Sequence, residues 1–102
     1  MKITDIKIRR LYPEGRMRAI LSVTFDHELV VHDVKIIELE HRIFAAMPSR
    51  RDENGKYRDI VHPIHASMRQ SMEMELLEAY NHAVKKQQSD FPGTGVADSK
   101  ET

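Results

Sequence analysis

The spacing of apolar residues changes once along this chain, and that single change sets the architecture. From Ile3 to His62 it has the period of two that belongs to strands; from Ser67 it lengthens to the three-to-four spacing of a helix. Ile6 and Ile8 alternate with Lys7 and Arg9 in a first strand, Ile3 to Leu11, which Tyr12-Pro13-Glu14-Gly15 turns. Met17, Ala19, Leu21, Val23 and Phe25 share one parity in a second strand, and Asp26-His27 turns the chain again. Ile43 to Met47 and Tyr57 to His62 are two further short strands. Met68, Met72, Leu76, Ala79, Tyr80 and Ala83 then form one helical stripe. Ser67 with Gln70 has the form of a capping box, and Lys85-Lys86 suit the negative end of the helix dipole. Met68, Met72 and Met74 are expected as core filler on that helix.

Strands followed by one helix predict an α+β fold: an antiparallel sheet of four to five strands with a C-terminal helix packed on one face. The stretch from Glu28 to Leu39 departs from simple alternation. Val30, Val34 and Ile36 lie on one parity, Leu29, Val31 and Ile37 on the other, so either a bulge switches faces midway or both faces are covered. Full cover in so small a domain would need a partner chain, and an open sheet has edges to protect. Homodimerisation through strands is therefore expected. The domain should run over residues 1–88, and residues 89–102, polar and rich in Gly and Pro, should be a disordered tail.

Composition narrows the function classes. A chain of 102 residues is one small domain, burying about 60–70% of the surface its unfolded form exposes. Sixteen basic and sixteen acidic residues cancel, so no global charge marks a nucleic-acid or membrane binder, and any such role must come from local placement. The absence of cysteine excludes disulfides and thiolate chemistry. No leading apolar signal or membrane-length apolar run is present, which makes a cytoplasmic protein without membrane contact the expectation.

Local placement singles out Met47 to Tyr57, Met-Pro-Ser-Arg-Arg-Asp-Glu-Asn-Gly-Lys-Tyr. Pro48 ends the preceding strand, and Asn54-Gly55 supplies the positive φ values of a tight turn. Arg50, Arg51 and Lys56 thus sit on an exposed tip, and a guanidinium forks well onto phosphate or a guanine edge. The plainer alternative is a solvated loop in which Asp52 and Glu53 partly cancel the arginines.

Rival chemistry is thin. His62-Pro63-Ile64-His65 has chelating spacing, but Pro63 holds the backbone extended and the other histidines belong to separate elements, so no metal or other cofactor is expected. His32 and Asp33 are adjacent on a strand and would face opposite ways, which makes His32 a core or interface histidine with a satisfied ring nitrogen. Nothing has the form of a nucleophile elbow, a phosphate loop or a paired-glycine turn, so the chain is not expected to be an enzyme or to take a small-molecule substrate.

Four ordered segments carry a resemblance: Gly15-Arg16-Met17-Arg18-Ala19-Ile20, Phe25 to Val34, Ala46-Met47-Pro48-Ser49-Arg50-Arg51, and Tyr57 to Ile64. With Thr4-Asp5-Ile6 and a helix holding Arg69 and Tyr80, they are similar in register to the SpoVG family, the stage V sporulation or septation proteins, over about residues 1–85. The resemblance implies a bacterial, cytoplasmic, dimeric regulator of gene expression that binds DNA, and in some members RNA, with links to sporulation, septation and envelope functions. It places nucleic-acid contact on Arg50 and Arg51, where the family usually carries Lys-Arg, with Lys56, Arg58 and Arg69 as helpers. Related proteins often carry a lysine two positions after Arg69, where this chain has Ser71. The competing reading is a protein-interaction module that uses an exposed strand edge and leaves the arginines merely solvated.

Overall fold

The computed structural model describes residues 1–89; the expected tail, residues 89–102, lies outside them except for Ser89, the last residue of the helix. Strands β1 (Ile3–Leu11), β2 (Met17–Phe25), β3 (Leu29–Leu39) and β4 (Arg42–Ala46) form one antiparallel meander in that order. A separate two-stranded ribbon follows, β5 (Ser49–Arg51) with β6 (Tyr57–Asp59), and then helix α1 (Ala66–Ser89). The fold is α+β, as the change of period predicts.

The turns follow from residue type. Asp26 and His27 both take positive φ, 51° and 57°, the paired left-handed conformation of a two-residue hairpin turn, and Glu28 N donates to Phe25 O at 2.9 Å. The start of β1 fastens this turn. Asp26 Oδ1 accepts from Lys2 N at 3.0 Å, and Thr4 Oγ1 accepts from His27 N at 2.9 Å.

One face of the sheet carries the core. Ala19, Leu21, Val23 and Phe25 of β2, Val31, Val34 and Ile36 of β3, and Ala45 of β4 are buried beneath Met72, Leu76 and Tyr80 of α1. Leu21, Ile36 and Leu76 are 0% exposed and form the centre of the packing. Of the helical methionines, Met72 is buried and Met68 packs at the margin, but Met74 is 69% exposed: it falls two positions from Met72, on the opposite side of the helix. The helix also begins at Ala66, two residues earlier than the capping-box reading allows, so Ser67 lies inside the first turn.

The mixed parity of β3 comes from a bulge. Val23 pairs with Val31 and Leu21 with Val34, so His32 and Asp33 together oppose Ser22, and Asp33 takes φ 63°. The extra residue returns Val34 and Ile36 to the core face that Val31 already occupies. Leu29 and Val31 before the bulge thus share the core face with Val34 and Ile36 after it, while Val30 and Ile37 stay on the opposite face. His32 is consequently exposed on the open side rather than in the core, with Nδ1 2.8 Å from Ser22 Oγ.

The two sheet edges differ. At the β4 edge Glu73 of α1 reaches over, and its Oε2 accepts the hydrogen bond of Ala45 N at 2.9 Å. Among the described residues no side chain caps the β1 edge in this way; β1 is broken by register shifts at both ends and carries Asp5, Lys7 and Arg9, devices that discourage pairing.

Candidate nucleic-acid interface

The basic pair lies on the short ribbon rather than at the end of a long hairpin. Pro48 breaks the chain out of the main sheet, its carbonyl accepts from Ile60 N at 2.8 Å, and β5 and β6 pair only with each other. The register sets Ser49 opposite Asp59, Arg50 opposite Arg58, and Arg51 opposite Tyr57. Cross-strand partners share a face and neighbours along a strand do not. Arg50 and Arg58 therefore occupy one face of the ribbon, and Arg51 and the exposed ring of Tyr57 the other.

Asp52 builds the loop that joins the strands. Its Oδ1 accepts from Asn54 N at 2.8 Å and from Lys56 N at 3.0 Å, while Oδ2 accepts from Arg58 Nε at 2.8 Å. Asp52 N donates to Lys56 O at 2.8 Å, and Gly55, at φ 83°, closes the turn by donating to Asp52 O at 3.0 Å. The Arg58 guanidinium, and after it the Lys56 amide, hold the Asp52 carboxyl below its ordinary value of 3.8. Asp52 is thus a structural cap of the turn that also fixes Arg58 through Nε, leaving the Nη groups of that fork directed elsewhere.

Two shallow concavities meet at Arg58. One is lined by Arg50, Arg51, Asp52, Glu53, Arg58, Asp59 and Ile60; the other by Tyr57, Arg58, Asp59, His62 and Arg69. Arg69, on the first turns of α1, is thereby brought beside the ribbon. Of the residues expected at the site, Arg50, Arg51, Arg58 and Arg69 form one connected surface, while Lys56 is exposed at the loop and lines neither concavity. Sequence reasoning missed the ordering part of Asp52 and the place of Tyr57 and His62 beside the arginines. An Asp two residues before Asn and four before Lys in a Gly turn was the available signal for the first. Among the described residues no group of three histidine or acidic side chains is placed to hold a metal.

Four antiparallel strands, one helix across them and a short arm carrying cross-strand arginines define a small α+β domain of the kind that presents a basic ribbon. The SpoVG family model matches residues 1–82, and the chain belongs to that family. Among similar curated proteins, a Clostridium botulinum protein is 49% identical over 87 residues, spanning 85% of this chain and 96% of the relative. A Clostridioides difficile protein is 52% identical over 84 residues, 82% of this chain and 91% of its own. One from Exiguobacterium sibiricum is 54% identical over 80 residues, 78% of each. All three bear the name septation protein SpoVG. No helix among the described residues is long and apolar enough to cross a membrane.

Proposed function

We propose that this chain is a cytoplasmic, homodimeric regulator of gene expression that binds DNA, and RNA by the same phosphate chemistry, through the β5–β6 ribbon. The observation that carries the reading is the placing of Arg50 opposite Arg58, with Arg69 of α1 alongside, on a short ribbon separate from the main sheet. Arginine forks neutralise phosphates, and one of them can reach a guanine edge in the major groove. Kinship with proteins named for septation supports a link to septation. Two copies related by a two-fold axis would present two such arms to one duplex. The test is an electrophoretic-mobility titration of the Arg50→Ala, Arg51→Ala double variant at several salt concentrations. Affinity should fall, and binding equal to wild type at every salt concentration would sink the assignment. A sedimentation mass of one chain at micromolar concentration would remove the dimer.

A second reading, a protein-interaction module, has its own observation. Leu29, Val61 and Ile64 are exposed around a groove floored by Phe25, Met47 and Met72. A partner retained after nuclease treatment, with no shift of any nucleic acid, would favour it.

A further inference from the structure

The face of the main sheet turned away from α1 has a chemistry that the ribbon reading leaves unused. Strand alternation places Ile20, Ser22 and Thr24 of β2, Val30, Lys35 and Ile37 of β3, and Phe44 of β4 on this side, because their neighbours Leu21, Val23, Val34 and Ile36 form the core. The register shift in β1 between Ile8 and Arg10 sets both Arg9 and Arg10 on it beside Lys7. The cations Lys7, Arg9, Arg10, Lys35 and Arg42 there face two carboxylates, Asp5 and Asp33. The chain's zero net charge therefore conceals a positive sheet face.

At its centre is a built arrangement. Ser22, only 5% exposed, accepts from Arg9 Nε at 3.0 Å and lies 2.8 Å from His32 Nδ1. The Ser22 hydroxyl therefore bridges the Arg9 guanidinium and the His32 ring on the open face. Ser22 thus ties β1 to β3, with Arg9 held through Nε and, among the described residues, no partner on its Nη groups. Beyond this centre, the Arg42 guanidinium lies over the Phe44 ring, 4.7 Å from its centroid, so a flat, stacked pair ends the apolar row Ile20–Ile37.

We propose that this open sheet face is a second nucleic-acid surface, one that takes a single strand: backbone phosphates on Arg9, His32 and Lys35, unpaired bases on the Ile20–Ile37 row and the Arg42–Phe44 stack. Charge complementarity selects a polyanion, and the carbon surface between the cations selects an unpaired one. A duplex keeps its base faces stacked inside, whereas a single strand can turn its bases down onto apolar side chains and guanidinium planes. The surface is separate from the β5–β6 ribbon and shares with the proposed function only the class of partner.

The test titrates an oligothymidylate and a DNA duplex separately into the full-length wild type, an Arg9→Gln, Lys35→Gln variant and the Arg50→Ala, Arg51→Ala variant, each verified as folded by circular dichroism. The sheet-face variant should lose about tenfold in oligothymidylate affinity, with the salt slope reduced by about 1.4, roughly 0.7 for each lost single-strand phosphate contact. Its duplex binding should stay at the wild-type level. Ser22→Ala, which frees Arg9 without changing charge, should weaken strand binding by a smaller factor. Wild-type oligothymidylate affinity in the Arg9, Lys35 variant overturns the proposal and leaves the ribbon reading standing. Strand binding kept by the ribbon variant together with unchanged duplex binding overturns the ribbon reading and leaves this one. A change of sedimentation mass in the sheet-face variant, without a change in strand affinity, assigns the face to a second copy of the chain and also overturns the proposal.

Discussion

Asp52 Oδ2 accepts the Nε hydrogen bond of Arg58 at 2.8 Å, so an acid in the middle of the basic loop orders an arginine rather than cancelling it. A carboxyl whose folded value lies below its unfolded one adds stability that is present above the unfolded value, near 3.8, and is lost as pH falls through the folded value. The ribbon should therefore loosen in acid below pH 3.8 while the main sheet persists, visible as collapse of the Asn54 and Lys56 amide shifts. Asp52→Asn should remove that transition and speed amide exchange at Asn54 and Lys56 at neutral pH. An unchanged acid transition in Asp52→Asn would contradict the assignment.

Arg50 and Arg51 are adjacent in sequence but lie on opposite faces of the ribbon, so their substitutions should not be equivalent. Arg50 shares its face with Arg58, and a double-mutant cycle on duplex binding should give a coupling of about 0.5–1 kcal/mol for that pair. The Arg51–Arg58 cycle should be additive. Equal coupling in both would mean that the ribbon does not hold its register when bound.

Glu73 on α1 and Ala45 on the edge strand meet at 2.9 Å. Removing the acceptor in Glu73→Ala should cost about 1.5–3 kcal/mol, the range for a hydrogen bond to a charged group, read from urea unfolding. Exchange at the Ala45 amide should accelerate with it. Glu75→Ala, on an exposed position of the same helix, should change stability by less than about 0.5 kcal/mol.

Leu76 and Met74 are two residues apart on α1 and opposite in consequence. Leu76 is fully buried, and Leu76→Ala should destabilise by about 2–5 kcal/mol. Met74→Ala should stay within about 0.5 kcal/mol in the same denaturant titration. Equal losses would mean that the helix presents a different face to the sheet.

Asp33 at φ 63° carries the bulge that switches faces in β3. Asp33→Gly should leave stability unchanged or raise it, whereas Asp33→Val, whose branched side chain resists the left-handed region, should lower the midpoint by the equivalent of about 1–2 kcal/mol. Thermal unfolding of the two variants side by side reads the difference.

Periodicity and turn chemistry are local properties, and the sequence by itself determined what depends on them. β1 and β2 run over the residues that alternation assigns, Asp26-His27 turns where its types allow positive φ, and Met72, Leu76 and Tyr80 fall on the buried stripe of the helix. The matching segments were likewise enough to identify the family, because motif order and spacing are written in one dimension. Tertiary structure decided what depends on which residues stand opposite one another. The bulge at His32–Asp33 chose between two readings of β3, because a face switch is fixed by cross-strand register that no single strand records. The same pairing brought Ser22 between Arg9 and His32, set Arg50 against Arg58 rather than beside Arg51, and turned Asp52 from a counter-charge into the cap of the arm.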